Sequence, residues 1–374
     1  MPEPGPLSTA SLGLRRVEIQ RVSWRNVQLD NVRIGLTFDD VLLVPQRSTV
    51  RSRQKVSVAT KVSRNLAISI PILAANMDTV CEWEMALALG RLGGIGIIHR
   101  FLSLEEQAAQ IAKVKAGSVL VGAAVGTDRD AIDRARAMVE AGVDVLVLDI
   151  AHGHSDHAID TVRALKKAFP SIDVIAGNVA TRLGAEDLVA AGADAIKVGV
   201  GPGGVCTTRI VAGVGVPQLT AVNDCAGLDV PVIADGGIRT SGDIAKALAA
   251  GAQSVMIGSM FAGTTESPGE VEQSPHGLVK RVRGMASFEA LERRAHREGT
   301  EIDEEYLEQR APEGVEGTVP FRGAVGPLVA TLLAGVRSSM SYSDALTIEE
   351  FQAKAQFVRI TNAGLTESHP HATR

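Results

Sequence analysis

The sequence predicts a closed (β/α)8 barrel, and three observations predict it. Eight short runs rich in Val and Ile recur along residues 68–260, each too short for a helix. The runs are continuous rather than alternating, as in parallel strands covered on both faces. Amphipathic stretches separate them, and several end in Ala-Gly, a helix stop before the next strand. Such an alternation either closes into a barrel or winds into an open sheet, and eight units point to closure.

Taken in order, residues 1–35 are a polar, irregular lead-in of mixed charge. The expected strands are ISIPILAAN (68–76), GIGIIH (94–99), SVLVGAAV (118–125), DVLVLDIA (144–151), DVIAGNV (173–179), AIKVGVG (195–201), VPVIADGG (230–237) and SVMIGSM (254–260). The clearest helical stretches are LEEQAAQIAKVK (104–115), RDAIDRARAMVEAG (129–142), LGAEDLVAAGA (183–193) and SGDIAKALAAGA (241–252). Residues 262–322 are charged and polar, and too long for a barrel connection. They are expected to form a helical or mobile insertion, as a solvated helix pair or as a flap over the site. VGPLVATLLAGVRSSM (325–340) is expected to be the last barrel helix, followed by a polar tail at 357–374. The organisation expected is thus a lead-in, 1–35, and one barrel, 36–374.

Lys plus Arg total 38 against 43 Asp plus Glu, a formal charge of −5, and aromatics are 3%. That balance offers nucleic acid neither a basic footprint nor a stacking platform. Three cysteines, Cys81, Cys206 and Cys225, make no disulfide framework and suit a reducing compartment. No apolar stretch has the length of a membrane span or of a signal-peptide core, so a cytoplasmic protein is expected.

Barrel chemistry sits just past the C-terminal ends of the strands. That rule selects Asn76 and Asp78, Asp149 with His152, His154 and His157, Asn178, GPGGVCTT (201–208), DGG (235–237) and GSM (258–260). The loops after the seventh and eighth strands are the usual phosphate site of such barrels. Gly236, Gly237, Gly258 and Ser259 would offer backbone N–H groups there, and a helix starting near Thr240–Ser241 its positive end. Asp235 would accept from ribose hydroxyls. Cys206, in a loop crowded by glycines, is the candidate nucleophile; Cys81 and Cys225, in helical context, read as core fillers. The three histidines lack thiolate or carboxylate partners at fixed spacing and read as loop hydrogen-bonding groups rather than zinc ligands.

LTFDDVLLVPQRS (36–48), AGNVAT (176–181), KVGVGPGGVCTTRIVAGVGVPQLTAV (197–222), ADGGIRTSGDIAKALAAGA (234–252) and VMIGSMFAGTTESPGE (255–270) resemble the IMP dehydrogenase / GMP reductase family. The resemblance implies a (β/α)8 barrel, a purine nucleotide substrate (GMP or IMP), a nicotinamide cofactor, a covalent thioimidate on the cysteine, and a homotetramer or octamer. It implies that Cys206 attacks purine C2 while Thr208 and Glu313 move a proton. Asp235, Gly237, Gly258 and Ser259 would hold ribose and phosphate, Gly284 and Met285 the base. Asp149 and Asn178 would sit by the nicotinamide, with Gly199 and Gly201 beside them. The Gly199, Gly201 and Cys206 carbonyls would bind potassium, with Glu367, Ser368 and His369 of a neighbouring subunit.

Two branches share these motifs. The dehydrogenases carry an Arg-Tyr pair that activates water, and no such pair lies between Met285 and Glu313. AANMDTV (74–80) and EEYLEQRAPEG (304–314) resemble the reductases, and KVKAGSVLVG (113–122) leaves no room for the CBS pair usual in dehydrogenases. DIAHGHS (149–155), EGVEGTVPFRG (313–323) and FVRITNAGLTESHPH (357–371) resemble the dehydrogenases, and a deleted CBS pair would explain Ala-Gly-Ser at 116–118. The resemblance therefore implies an NADPH-dependent reductase. The alternatives are an NAD-dependent dehydrogenase, a silent nucleotide-binding barrel, and a flavin-dependent barrel using the same phosphate loops.

Overall fold

The structure is a computed structural model that describes residues 32–290, 292 and 311–371. The chain divides into two units, Met1–Ile34 and Gly35–Arg374. Of the first, residues 32–34 are described, without regular structure. The second holds a closed barrel of eight parallel strands in sequence order: β1 (Ile72–Ala74), β2 (Ile95–Ile98), β3 (Val121–Val125), β4 (Val145–Asp149), β5 (Asp173–Val179), β6 (Ala195–Val198), β7 (Val232–Asp235) and β8 (Ser254–Ile257), with β8 pairing back to β1. Each expected run contains one strand. The first is the most trimmed, because Pro71 has no N–H to give a ladder and the preceding Ala67–Ile68 pairs antiparallel with Thr60–Lys61 instead.

Every residue of β1, β2, β3, β6 and β8 is buried. One side fills the barrel and the other lies under the helices, which is why these runs do not alternate. The helices Leu104–Ala116, Ala131–Glu140, Arg182–Ala190 and Ser241–Ala249 fall on the stretches expected. The Ala-Gly stops work as read: Gly142, Gly192 and Gly251 have φ of +92°, +106° and +116°, a turn that favours glycine. Val325–Tyr342 packs against Ser241–Ala249 and Trp83–Arg91 and completes the outer ring.

One lock recurs at the strand starts. The residue just before β4, β6 and β8 reaches back to an N–H at the start of the preceding strand, its first or second residue. Asp144 accepts from Val121 N (2.8 Å), Asp194 from Val174 N (2.9 Å) and Gln253 from Val232 N (2.7 Å). Lys115 and Lys166 neutralise the two carboxylates at 2.8 and 2.7 Å.

Residues 262–322 differ from the helical or mobile insertion expected. Their described part forms a three-stranded antiparallel sheet of Glu272–Ser274, Gly277–Arg283 and Glu316–Pro320. Lys280 and Val282 point inward from the central strand, a period of two obscured in sequence by the charges around it. Lys280 buries its ammonium against the Thr264 and Ser267 carbonyls at 3.0 and 2.6 Å. Residues 293–310, which carry most of the expected helix pair, lie outside the described residues. In the tail, Phe357–Arg359 pairs antiparallel with Val41–Leu43. No described helix is long and apolar enough to cross a membrane.

Asp194 tests the strand-start lock. Asp194→Ala would take the side-chain acceptor from the buried Val174 N–H and leave the Lys166 ammonium with only the Ile172 carbonyl, a loss of about 2–4 kcal/mol. Urea unfolding followed by circular dichroism should show a lower midpoint, with the remote site chemistry unaffected.

Candidate active site

A cavity of about 410 Å³ opens at the C-terminal ends of the strands, within the rough 300–1,000 Å³ span of small-molecule sites. Cys206, Thr208 and Glu313 all line it. Cys206 Sγ lies 3.2 Å from Thr208 Oγ1, a hydrogen-bond contact between the candidate nucleophile and a hydroxyl that can relay its proton. Glu313 arrives from the far side of the insertion, more than a hundred residues later in sequence. Backbone bonds bring it in: Thr207 N donates to Glu313 O (2.9 Å), Val315 N to Val205 O (2.9 Å), and Glu313 N to Ala286 O (3.0 Å). Gly284 N donates to Val315 O (3.0 Å), so Gly284 and Met285, which also line the cavity, share the same clasp.

The floor is polar. Asp149, Asn178 and Asp235, at the ends of β4, β5 and β7, converge on Lys197 of β6, which is 2% exposed. Lys197 Nζ donates to Asp235 Oδ2 at 2.8 Å and to Asn178 Oδ1, and lies 4.0 Å from Asp149. Asn178 Nδ2 completes the net to Asp235 (2.9 Å) and to the Gly199 carbonyl (2.8 Å). Gln218 bonds the Val198 and Asp235 carbonyls at 2.8 and 3.0 Å. Arg100, a lining residue, lies 3.4 Å from Asp149 and 3.3 Å from Asp128.

Of the residues singled out in sequence, Asp149, Asn178, Gly199, Gly201 and Asp235 also line the cavity. Gly237, Gly258 and Ser259 do not; Gly237 and Ser259 adjoin it through the cysteine loop, and Gly258 through Met77. A Cβ at Gly237 would lie 3.5 Å from Pro202, and one at Gly204 would lie 3.2 Å from Ser259 Oγ. The helix expected to aim its positive end there does begin at Ser241. Thr240 caps it, and the Asp243 carboxylate accepts from Arg239 N and Thr240 N, both at 2.9 Å. Glu367, Ser368 and His369, at the end of helix Asn362–Glu367, are exposed and outside the cavity lining.

Among the described residues no group of three His, Cys, Asp or Glu could hold a metal ion. His154 instead bonds Asp187 at 2.8 Å, and Ser155 bonds the His152 carbonyl. Cys81 lies in the loop before Trp83–Arg91 rather than in a helix, and Cys225 ends helix Gln218–Cys225; both are buried. Sequence reasoning missed Lys197, Arg100, Gln218 and Arg283. For Lys197 a signal existed: one charge inside an apolar strand run, which must find a partner if buried.

Comparison with known proteins bears on the family and the fold. Residues 35–371 match the IMP dehydrogenase / GMP reductase domain family. The inosine-5′-monophosphate dehydrogenase of Nitrosopumilus maritimus is 40% identical over 466 positions, covering 90% of this chain and 98% of the relative. The GMP reductase of Leishmania major is 39% identical over 476 positions, covering 90% and 96%. Both alignments exceed the 374 residues of this chain, so those relatives hold a long stretch with no counterpart here. A crystal structure of a Cys-to-Ala variant of Trypanosoma brucei GMP reductase in complex with guanosine 5′-monophosphate superposes with a TM-score of 0.86, at 39% identity, covering 92% of this chain and 99% of that one.

The three thiols should separate by reactivity. Burial pushes the Cys225 thiol up to about 12 and raises Cys81 further, so both stay protonated and unreactive near neutrality. Iodoacetamide at pH 8 should alkylate Cys206 and spare the other two by peptide mass mapping. Equal labelling of all three would contradict the assignment.

Proposed function

The chain belongs to the IMP dehydrogenase / GMP reductase family, and from that premise we propose that it reduces GMP to IMP: GMP + NADPH + 2 H⁺ → IMP + NH₄⁺ + NADP⁺. The observation that carries the proposal is the Cys206–Thr208 contact of 3.2 Å in one cavity with Glu313.

In this reading the Cys206 thiolate adds to purine C2. Thr208 and Glu313 carry a proton to the exocyclic amine, which leaves as ammonia and gives a covalent thioimidate. The nicotinamide supplies a hydride to C2 when bound. Cys206 then departs as thiolate and IMP is released. Asp235, paired with Lys197 Nζ at 2.8 Å, accepts from the ribose hydroxyls. Gly237, Gly258 and Ser259 hold the phosphate, and Gly284 and Met285 the base. Asp149 and Asn178 line the same cavity with Arg100, and would hold the nicotinamide there.

Potassium fits less well. The Gly199 carbonyl already accepts from Asn178 at 2.8 Å, and Gly199, Gly201 and Cys206 supply half of the roughly six oxygens a hard cation collects. Glu367, Ser368 and His369 of a neighbouring subunit would have to complete the shell, and no step is assigned to the cation.

The reductase branch is supported by the missing Arg-Tyr pair between Met285 and Glu313, since without a water activator the thioimidate is better spent on hydride than on hydrolysis. The second reading, oxidation of IMP with NAD⁺ and water to XMP, is favoured by the dehydrogenase-like EGVEGTVPFRG (313–323) and C-terminal segment.

A paired absorbance assay at 340 nm separates the two readings. GMP with NADPH should consume reduced cofactor and release ammonia, whereas reduced cofactor formed only from IMP with NAD⁺ would overturn the reductase assignment. Cys206→Ala should abolish turnover. Glu313→Gln should lower kcat about 10²–10⁴-fold with little change in GMP affinity.

A further inference from the structure

We infer that Arg283 is a positioning residue for the nucleotide, setting the spacing between two walls of the pocket without touching the ligand. The inference rests on the purine-nucleotide reading above and adds a residue to which neither the motifs nor the cavity lining points.

Arg283 ends the central strand of the insertion sheet and is nearly buried, with 11% of its side chain exposed. Its Nε lies 3.2 Å from Oδ1 and 3.1 Å from Oδ2 of Asp78, and its Nη1 lies 3.4 Å from Glu316 Oε2. Its own backbone N–H donates to Thr79 Oγ1 at 3.2 Å. Asp78 follows Asn76 and Met77, which line the cavity from the loop after β1. Gly284 and Met285, directly after Arg283, line it from the insertion, and Glu316 lies on the strand that carries Glu313 into the site.

One planar guanidinium thus joins the loop after β1 to the insertion, through Asp78 on one side and Glu316 on the other. It does so out of contact with the cavity, in a place where a fork of N–H donors pairs well with carboxylates and where loss of the cation leaves buried negative charge. Arg281, two residues earlier on the same strand, provides the contrast. It bonds Glu272 at 2.6 Å and Glu316 at 3.0 Å, but 60% of its side chain is exposed and its pairs lie in water. Arg283 therefore acts on the pocket, while Arg281 only decorates the sheet.

The test measures GMP and IMP binding by titration calorimetry, then steady-state turnover, for the intact chain, Arg283→Met, Arg283→Lys, Asp78→Asn and Arg281→Met. Arg283→Met and Asp78→Asn should each weaken nucleotide binding about tenfold or more, raise the nucleotide KM in step, and leave kcat and the dinucleotide KM within about threefold. Arg283→Lys should recover part of the loss, because a point charge reaches one carboxylate but does not fork. Arg281→Met should match the parent chain. Unchanged nucleotide binding in Arg283→Met overturns the inference and leaves the function standing. So does a loss shared equally by kcat, both KM values and the thermal midpoint, which is the mark of a merely structural residue. Failure of the unaltered chain to bind either nucleotide overturns the function, and this inference with it.

Discussion

The site depends on one backbone clasp. The loop carrying Cys206 belongs to the barrel, whereas Glu313 and the Gly284–Ala286 edge belong to the insertion after β8. Two N–H to carbonyl bonds of 2.9 Å join them, Thr207 N to Glu313 O and Val315 N to Val205 O, and two of 3.0 Å tie the insertion's own edges together. The approach is close enough to dictate residue type. A Cβ at Gly284 would lie 2.9 Å from the Val205 carbonyl oxygen, and one at Gly314 would lie 3.1 Å from Ser287 N. Glycine at both positions keeps the strands at hydrogen-bonding distance, and without that distance Glu313 has no route into the pocket.

Beneath the clasp, the barrel contributes charge balance. Lys197 is held among Asp235, Asn178 and Asp149 at the ends of three different strands. Burying one cation costs several kcal/mol unless its partners are fixed, and strand ends in a packed barrel are fixed. The same net orients Asn178, whose amide bonds Gly199 at the start of the cysteine loop. Strand geometry, polar floor and nucleophile loop are therefore one connected unit, with the insertion closing it from above through Arg283.

Much of this was legible in sequence because it is local. The eight strands follow from apolar runs bounded by turn residues, and Gly142, Gly192 and Gly251 follow from Ala-Gly stops. Cys206, Thr208, Asp149, Asn178 and Asp235 follow from their places at strand ends. What was not legible depends on partners distant in the chain. The pairing of Gly277–Arg283 with Glu316–Pro320 spans the insertion, so its period of two reads as charge noise. Arg283 has its partners in Asp78, 205 residues away, and in Glu316. At the His152–His157 cluster the suggestive spacing meets local hydrogen bonds, from His154 to Asp187 and from Ser155 to the His152 carbonyl.

The most direct test of the account is a crystal structure of the chain with GMP bound. The account predicts purine C2 at near-attack distance from Cys206 Sγ, about 3–3.5 Å. It also predicts the ribose on Asp235, the phosphate over Gly237 and Ser259, and the Glu313 carboxylate on the exocyclic-amine side of the base. A nucleotide whose base faces away from Cys206, or a Glu313 turned out of the pocket while the clasp stays closed, would contradict it.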